Sequence, residues 1–124
     1  MSLKEFHSGE KAIVYEYSPE GRDGCLTEYF DAKKIPNSAK DRLSWLIELL
    51  CEQGIIENDL QFRHLEDGIW EFKPKNYRVL CFFLKGQPDK CVVTTNYYKK
   101  QTNKAPRGEI KNAKKIRDLV EKGG

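Results

Sequence analysis

The chain has 124 residues, 39% hydrophobic and 33% charged, with a formal net charge of +3. That length fits one domain with a single modest core, spanning 1–124. No apolar run approaches bilayer-spanning length, and MSLKEFHSGEKAIVYEY lacks the layout of a secretory leader. A cytoplasmic protein with no membrane partner is therefore expected.

Residues 1–11 read as an N-terminal extension without an assigned role, ahead of a core over 12–122. The run AIVYEY (Ala12 to Tyr17) reads as a first strand, followed by the turn formers SPEGRDG. Leu26, Tyr29 and Phe30 recur at helical spacing and predict a short helix. Pro36-Asn37-Ser38 is a helix start, with Asn37 or Ser38 able to cap free amides. Ala39, Leu43, Leu46, Ile47 and Leu50 then form the apolar stripe of a helix ending near Gln53-Gly54. Trp45 and Leu49 widen that stripe.

Beyond this helix the period changes. Leu60 to Leu65, Ile69 to Lys73, Tyr77 to Leu84 and Cys91 to Tyr98 are short aromatic and β-branched runs, separated by EDG, PKN and KGQPDK turns. Such short links make neighbouring strands antiparallel. YRVLCFFL is apolar on both faces apart from Arg78, which predicts a central strand. Pro106 suits the first turn of a last helix, with Ile110, Ala113, Ile116 and Leu119/Val120 facing the core. The order β-α-α-β-β-β-β-α describes an α+β domain. Two helices from the N-terminal half and one C-terminal helix pack on a twisted, antiparallel-rich sheet.

None of the four cysteines falls in a CxxC pair, and His7 and His64 lie far apart. No metal site and no cofactor are expected; Cys51 and Cys81 read as small buried hydrophobes. Charge is uneven. Residues 97–122 hold nine Lys or Arg against three acids, a balance of +6, whereas residues 1–96 carry −3. Positive charge gathered in one segment points to a polyanionic partner, although a solvated lysine face on a helix explains it about equally well.

Two blocks now stand out. "FRHLEDGIWEFKPKNYRVLCFFL" contributes Arg63-His64-Leu65, Asp67-Gly68, Trp70-Glu71 and Tyr77-Arg78-Val79-Leu80. "NYYKKQTNKAPRGEI" contributes Tyr97, Lys99-Lys100, Lys104, Pro106 and Glu109-Ile110. Together they resemble the phage-derived HigB-like branch of the RelE/ParE toxin superfamily, over roughly residues 12–122. The resemblance implies a RelE-like fold and a toxin of a toxin–antitoxin pair. Such a toxin cleaves mRNA without a metal, often on the ribosome, and is silenced by a cognate antitoxin, often of helix-turn-helix type. The ParE branch poisons DNA gyrase on the same fold, so fold alone does not choose between the two.

Metal-free RNA cleavage uses the ribose 2′-OH as nucleophile. It needs a base, cations for the developing phosphoryl charge and an acid for the leaving 5′ oxygen. Arg78, an arginine in an apolar strand, needs a partner or a cleft; its planar fork matches phosphate, and it falls on the family's YRV arginine. The plainer reading is a core arginine paired with Glu71. Lys73 corresponds to the family's basic strand position, as general base or phosphate contact, and Lys75 shares its face if the strand continues past Pro74. Glu71 departs from the pattern, standing where ribosome-dependent relatives often place a base.

Lys99 and Lys100 match the second block as clamps or proton donors, although the link to Pro106 is one residue longer than the common pattern. Of Tyr97 and Tyr98, one faces the core and the other is free to stack on a base. His64 is a candidate acid or base, or a structural strand histidine. Lys104, Arg107, Lys111 and Lys114, with Lys115 and Arg117, read as general attraction for RNA.

Overall fold

A computed structural model of the chain describes residues 2–123. Its elements are β1 (Ser2–Ser8), β2 (Ala12–Ser18), α1 (Cys25–Asp31), α2 (Asn37–Gln53), β3 (Phe62–Glu66), β4 (Ile69–Phe72), β5 (Tyr77–Leu84), β6 (Lys90–Lys99) and α3 (Arg107–Gly123). They form a six-stranded sheet in the order β1-β2-β6-β5-β4-β3. The expected α+β, RelE-like architecture is present, and β5 is central as its two apolar faces required.

Two features depart from the sequence reading. The N-terminal extension is not outside the core: β1 pairs antiparallel with β2 from Ser2↔Ser18 to Ser8↔Ile13. Its Phe6 stacks on Phe30 of α1 with ring centroids 5.4 Å apart. Its charged, weakly alternating sequence gives little strand signal, because an edge strand is solvated along one side. The sheet is also mixed. β2 and β6 run parallel, from Ala12↔Lys90 to Glu16↔Thr94, whereas β3 to β6 form an antiparallel meander.

The alternation of β-strand side chains divides the core in two. On one face α1 and α2 cover Val14, Phe62, Phe72, Val79, Cys81 and Val92. On the other, α3 covers Tyr17, Ile69, Leu80, Phe82 and Val93 with Ala113 and Val120. Burying a side chain such as Phe82 stabilises the fold by about 2–3 kcal/mol.

Local capping differs from expectation as well. Pro36, not Asn37 or Ser38, occupies the N-cap of α2, with no side-chain cap bond. Trp45 is nearly half exposed, with the Arg42 guanidinium over its ring, so it borders the stripe and does not fill it. At α1 the cap position is Gly24, and buried Glu16 of β2 does the capping. Its carboxylate accepts from Thr27 N at 2.9 Å and Thr27 Oγ1 at 2.6 Å. A Cβ on Gly24 would lie 2.3 Å from the Glu16 carboxylate, which is why glycine stands there.

Candidate functional site

The site grows from the β4–β5 turn. β4 ends at Phe72, and Lys75 takes the left-handed conformation with φ 58°. Lys75 is therefore a turn residue and does not share a strand face with Lys73; Pro74 breaks the strand between them. The turn serves Arg78 through its carbonyls. Arg78 Nη1 donates to Lys75 O at 2.9 Å and Tyr77 O at 2.7 Å.

The partner expected for Arg78 is in place. Glu71 is 1% exposed and accepts from Arg63 Nε at 3.1 Å and Arg63 Nη2 at 2.7 Å. Arg78 Nε stands 4.0 Å from its other oxygen. One buried carboxylate thus lies between two guanidiniums, so that removing Glu71 would leave both cations without their shared partner, whereas removing either arginine leaves a single ion pair.

Lys73 joins this cluster. Its ammonium donates to Asp59 O at 3.2 Å. Burial, and then the nearby charges of Arg63, Arg78 and Lys100 against the opposing pull of Glu71, hold its pKa below the usual lysine value. Tyr98 lies opposite Arg78 in the β5–β6 ladder. Burial and the Glu71 carboxylate push its phenol up to about 12. Lys100 follows β6, its backbone N–H donating to Asn76 O at 2.6 Å. The result is a basic cluster of Arg63, Lys73, Arg78 and Lys100 with a protonated Tyr98 around one buried acid. An open groove of ≈ 400 Å³ leads away from Arg63, bordered by Asn103, Lys104 and Arg107.

Other candidates lie elsewhere. Lys99 alternates to the face opposite Tyr98 and is exposed. Tyr97 and Tyr98 are both partly buried, Tyr97 edge-on to Tyr29 at 5.4 Å on the α1–α2 side and Tyr98 against the α3-side core, so the expected split into one core and one free tyrosine is not found. His64 packs edge-on to Trp70 at 5.1 Å on the α2 face, and its Nε2 accepts from Gly68 N at 3.3 Å. It closes the β3–β4 turn and also borders the groove that leads from Arg63. Several α3 cations are occupied. Arg107 and Lys114 pair with Glu66, and Arg117 holds Asp67, so this part of the basic helix ties itself to the β3–β4 hairpin. Lys111 and Lys115 stay exposed on the helix.

Arg63, although part of the first sequence block, is given no role at the site by the sequence reading, for an instructive reason. Asp67 and Gly68, with φ 50° and 80°, form a two-residue hairpin turn. Counting outward from the first pair, Glu66↔Ile69, places His64 opposite Glu71. A β-bulge between His64 and Glu66 shifts the register by one, so Arg63 pairs with Glu71 and His64 with Trp70. One inserted residue exchanges the faces of the two side chains.

The RelE-like sheet thus carries a basic, tyrosine-bearing cluster on its α3 face. The model of the family described as "Phage derived protein Gp49-like (DUF891)" matches residues 31–118. The chain belongs to this Gp49-like family, a RelE/HigB-like toxin family. No curated protein matches it.

Proposed function

We propose that the protein is the toxin of a type II toxin–antitoxin pair, a metal-independent endoribonuclease of the HigB-like kind acting on mRNA in the cytoplasm. The observation that carries this reading is the gathering of Arg63, Lys73, Arg78, Tyr98 and Lys100 around Glu71 on one face. These are the groups that cleavage by the ribose 2′-OH requires in a site without a histidine pair.

In this reading Lys73, its pKa lowered by burial and neighbouring cations, takes the 2′-OH proton. The 2′ oxygen attacks phosphorus while the P–O5′ bond breaks. Arg78 and Arg63 stabilise the charge on the non-bridging oxygens. Arg78 Nη1 and Nε face the turn carbonyls and Glu71, so Nη2 is the nitrogen offered to phosphate. Tyr98 or Lys100 returns a proton to the 5′ oxygen. The products are a 2′,3′-cyclic phosphate and a 5′-hydroxyl. Lys104 and Lys111 add general attraction for the RNA backbone, and the substrate is mRNA, free or on the ribosome. A cognate antitoxin, in many pairs of helix-turn-helix type, silences the site.

The test is induced expression in a bacterial host, wild type beside Arg78→Ala, following growth and mapping mRNA 5′ ends. Arrest with new chelator-insensitive cleavage sites in wild type alone is the expected result. Arrest with intact mRNA would replace this reading with a non-catalytic one such as gyrase inhibition. No arrest would make the protein an inactive member that only binds nucleic acid or antitoxin.

A further inference from the structure

β2 and β6 are adjacent parallel strands, and the helices that follow them leave for opposite faces of the sheet: α1 to one, α3 to the other. In open sheets such a switch point leaves a crevice at the carboxyl ends of the two strands, where ligands bind. Here the crevice is present. Pairing stops at Glu16↔Thr94, after which β2 continues to Ser18 beside β1 alone and β6 continues to Lys99 beside β5 alone. Between the diverging ends lies a cavity of ≈ 330 Å³. It is lined by Pro19 and Asp23 of the β2–α1 loop, Glu28 of α1, Thr95 and Tyr97 of β6, and Asn112 of α3.

Beyond a β-bulge at Thr95, the main chain of β6 from Asn96 to Lys99 therefore presents a ladder edge with no strand beside it among the described residues. Unpaired alternating N–H and C=O groups are a template for an added strand. We propose that this crevice takes an extended peptide segment of a partner protein, which adds to β6 along Asn96–Lys99. The main-chain ladder supplies the affinity and the crevice walls read alternate side chains. Charge sets the polarity of the occupant. Lys99 and Lys100 stand at the open end of the edge, and neither is in an ion pair among the described residues. The segment accordingly carries acidic side chains at that end.

A strand laid there ends beside Tyr98 and Lys100 and would cover the basic cluster. That regulatory consequence rests on the RNA-cleaving reading, whereas the docking itself does not.

The experiment uses isotopically labelled full-length protein and the probe peptide acetyl-Val-Thr-Val-Thr-Glu-Glu-amide, followed by backbone NMR without RNA. Amide shifts confined to residues 95–100, the β2–α1 loop and Asn112 are expected below about 1 mM peptide. A backbone N-methylated copy of the peptide should bind at least about ten-fold more weakly, the worth of one or two main-chain hydrogen bonds. Asn112→Trp, a change at an exposed helix position that fills the crevice, should weaken binding as much. The proposal is overturned by no shifts at that concentration, by shifts mapping elsewhere, or by equal binding of the N-methylated copy. It is also overturned by undiminished binding to Asn112→Trp, or by a single-stranded RNA hexamer shifting the β2–α1 loop and Asn112 amides, away from the basic cluster, more strongly than the peptide. Loss of RNA cleavage activity with peptide binding intact would overturn only the enzymatic reading.

Discussion

Arg78 carries two duties that substitution can separate. Its Nη1 bonds staple the β4–β5 turn, and its Nε helps neutralise Glu71. Arg78→Ala should remove RNA cleavage and also lower stability by about 2–4 kcal/mol, since buried Glu71 keeps only Arg63. Arg78→Lys restores the charge without the fork, so urea unfolding should recover part of the stability while cleavage stays low. Equal stability of wild type and Arg78→Ala would rule out the stapling role. Lys73 is tested by pH. Its lowered pKa means the neutral, basic amine becomes populated as pH rises from neutral toward the ordinary lysine range, while Tyr98 keeps its proton up to about 12. Cleavage should therefore accelerate with rising pH in wild type, and Lys73→Arg, which stays protonated, should flatten the profile. A wild-type rate independent of pH would remove Lys73 from the role of base.

At the scale of elements, α3 is held to the β3–β4 hairpin by charge as well as by its apolar stripe. Bonds from Arg107 and Lys114 hold the Glu66 carboxylate down to about 2. A depressed carboxylate contributes stability above its unfolded pKa of 4.5, and this is lost as pH falls from there toward about 2. The tether is exposed and hence salt-sensitive. Glu66→Gln should lower the urea midpoint at low ionic strength near pH 7, with the difference closing at about 1 M salt; a salt-independent difference would count against an ionic tether. β1 makes a second element-scale case. Deleting residues 1–9 strips β2 of its ladder partner and Phe30 of the Phe6 stack. The truncated chain should unfold at lower urea, by about 2–4 kcal/mol, and self-associate through the bared β2 edge, measurable by light scattering. A truncated chain as stable as the parent, with unchanged light scattering, would return β1 to the status of a dispensable extension.

For the whole molecule, the charge asymmetry near the C-terminus divides into spent and available cations. Arg107, Lys114 and Arg117 are engaged with Glu66 and Asp67, whereas Lys99, Lys100 and Lys104 are in no ion pair among the described residues. Single-strand binding loses about 0.7 in the salt slope for each phosphate contact removed. Replacing Lys99, Lys100 and Lys104 together by alanine should lower that slope by about two. Replacing Lys111 and Lys115 should change it by less than about one. Equal losses from both sets would mean attraction by the helix as a whole and not by the cleft end of β6.

Much of this molecule was readable along the chain, because its periodicities are local. The apolar stripe of α2, the two-faced apolar run of β5 and the short antiparallel links from β3 to β6 depend on residues a few positions apart. The Arg78–Glu71 pairing was legible too, since a lone arginine in an apolar strand demands a partner. Three things needed the folded chain. The bulge beyond Asp67-Gly68 exchanged Arg63 for His64 at the cluster, an outcome set by one residue of register. The acids that neutralise the basic helix lie more than 40 residues upstream, so a local charge sum overstates its field. The parallel meeting of β2 and β6, and the crevice where they part, joins segments some 78 positions apart in register. Neighbour patterns specify elements, but long-range register and pairing are chosen by the packing of all the elements at once.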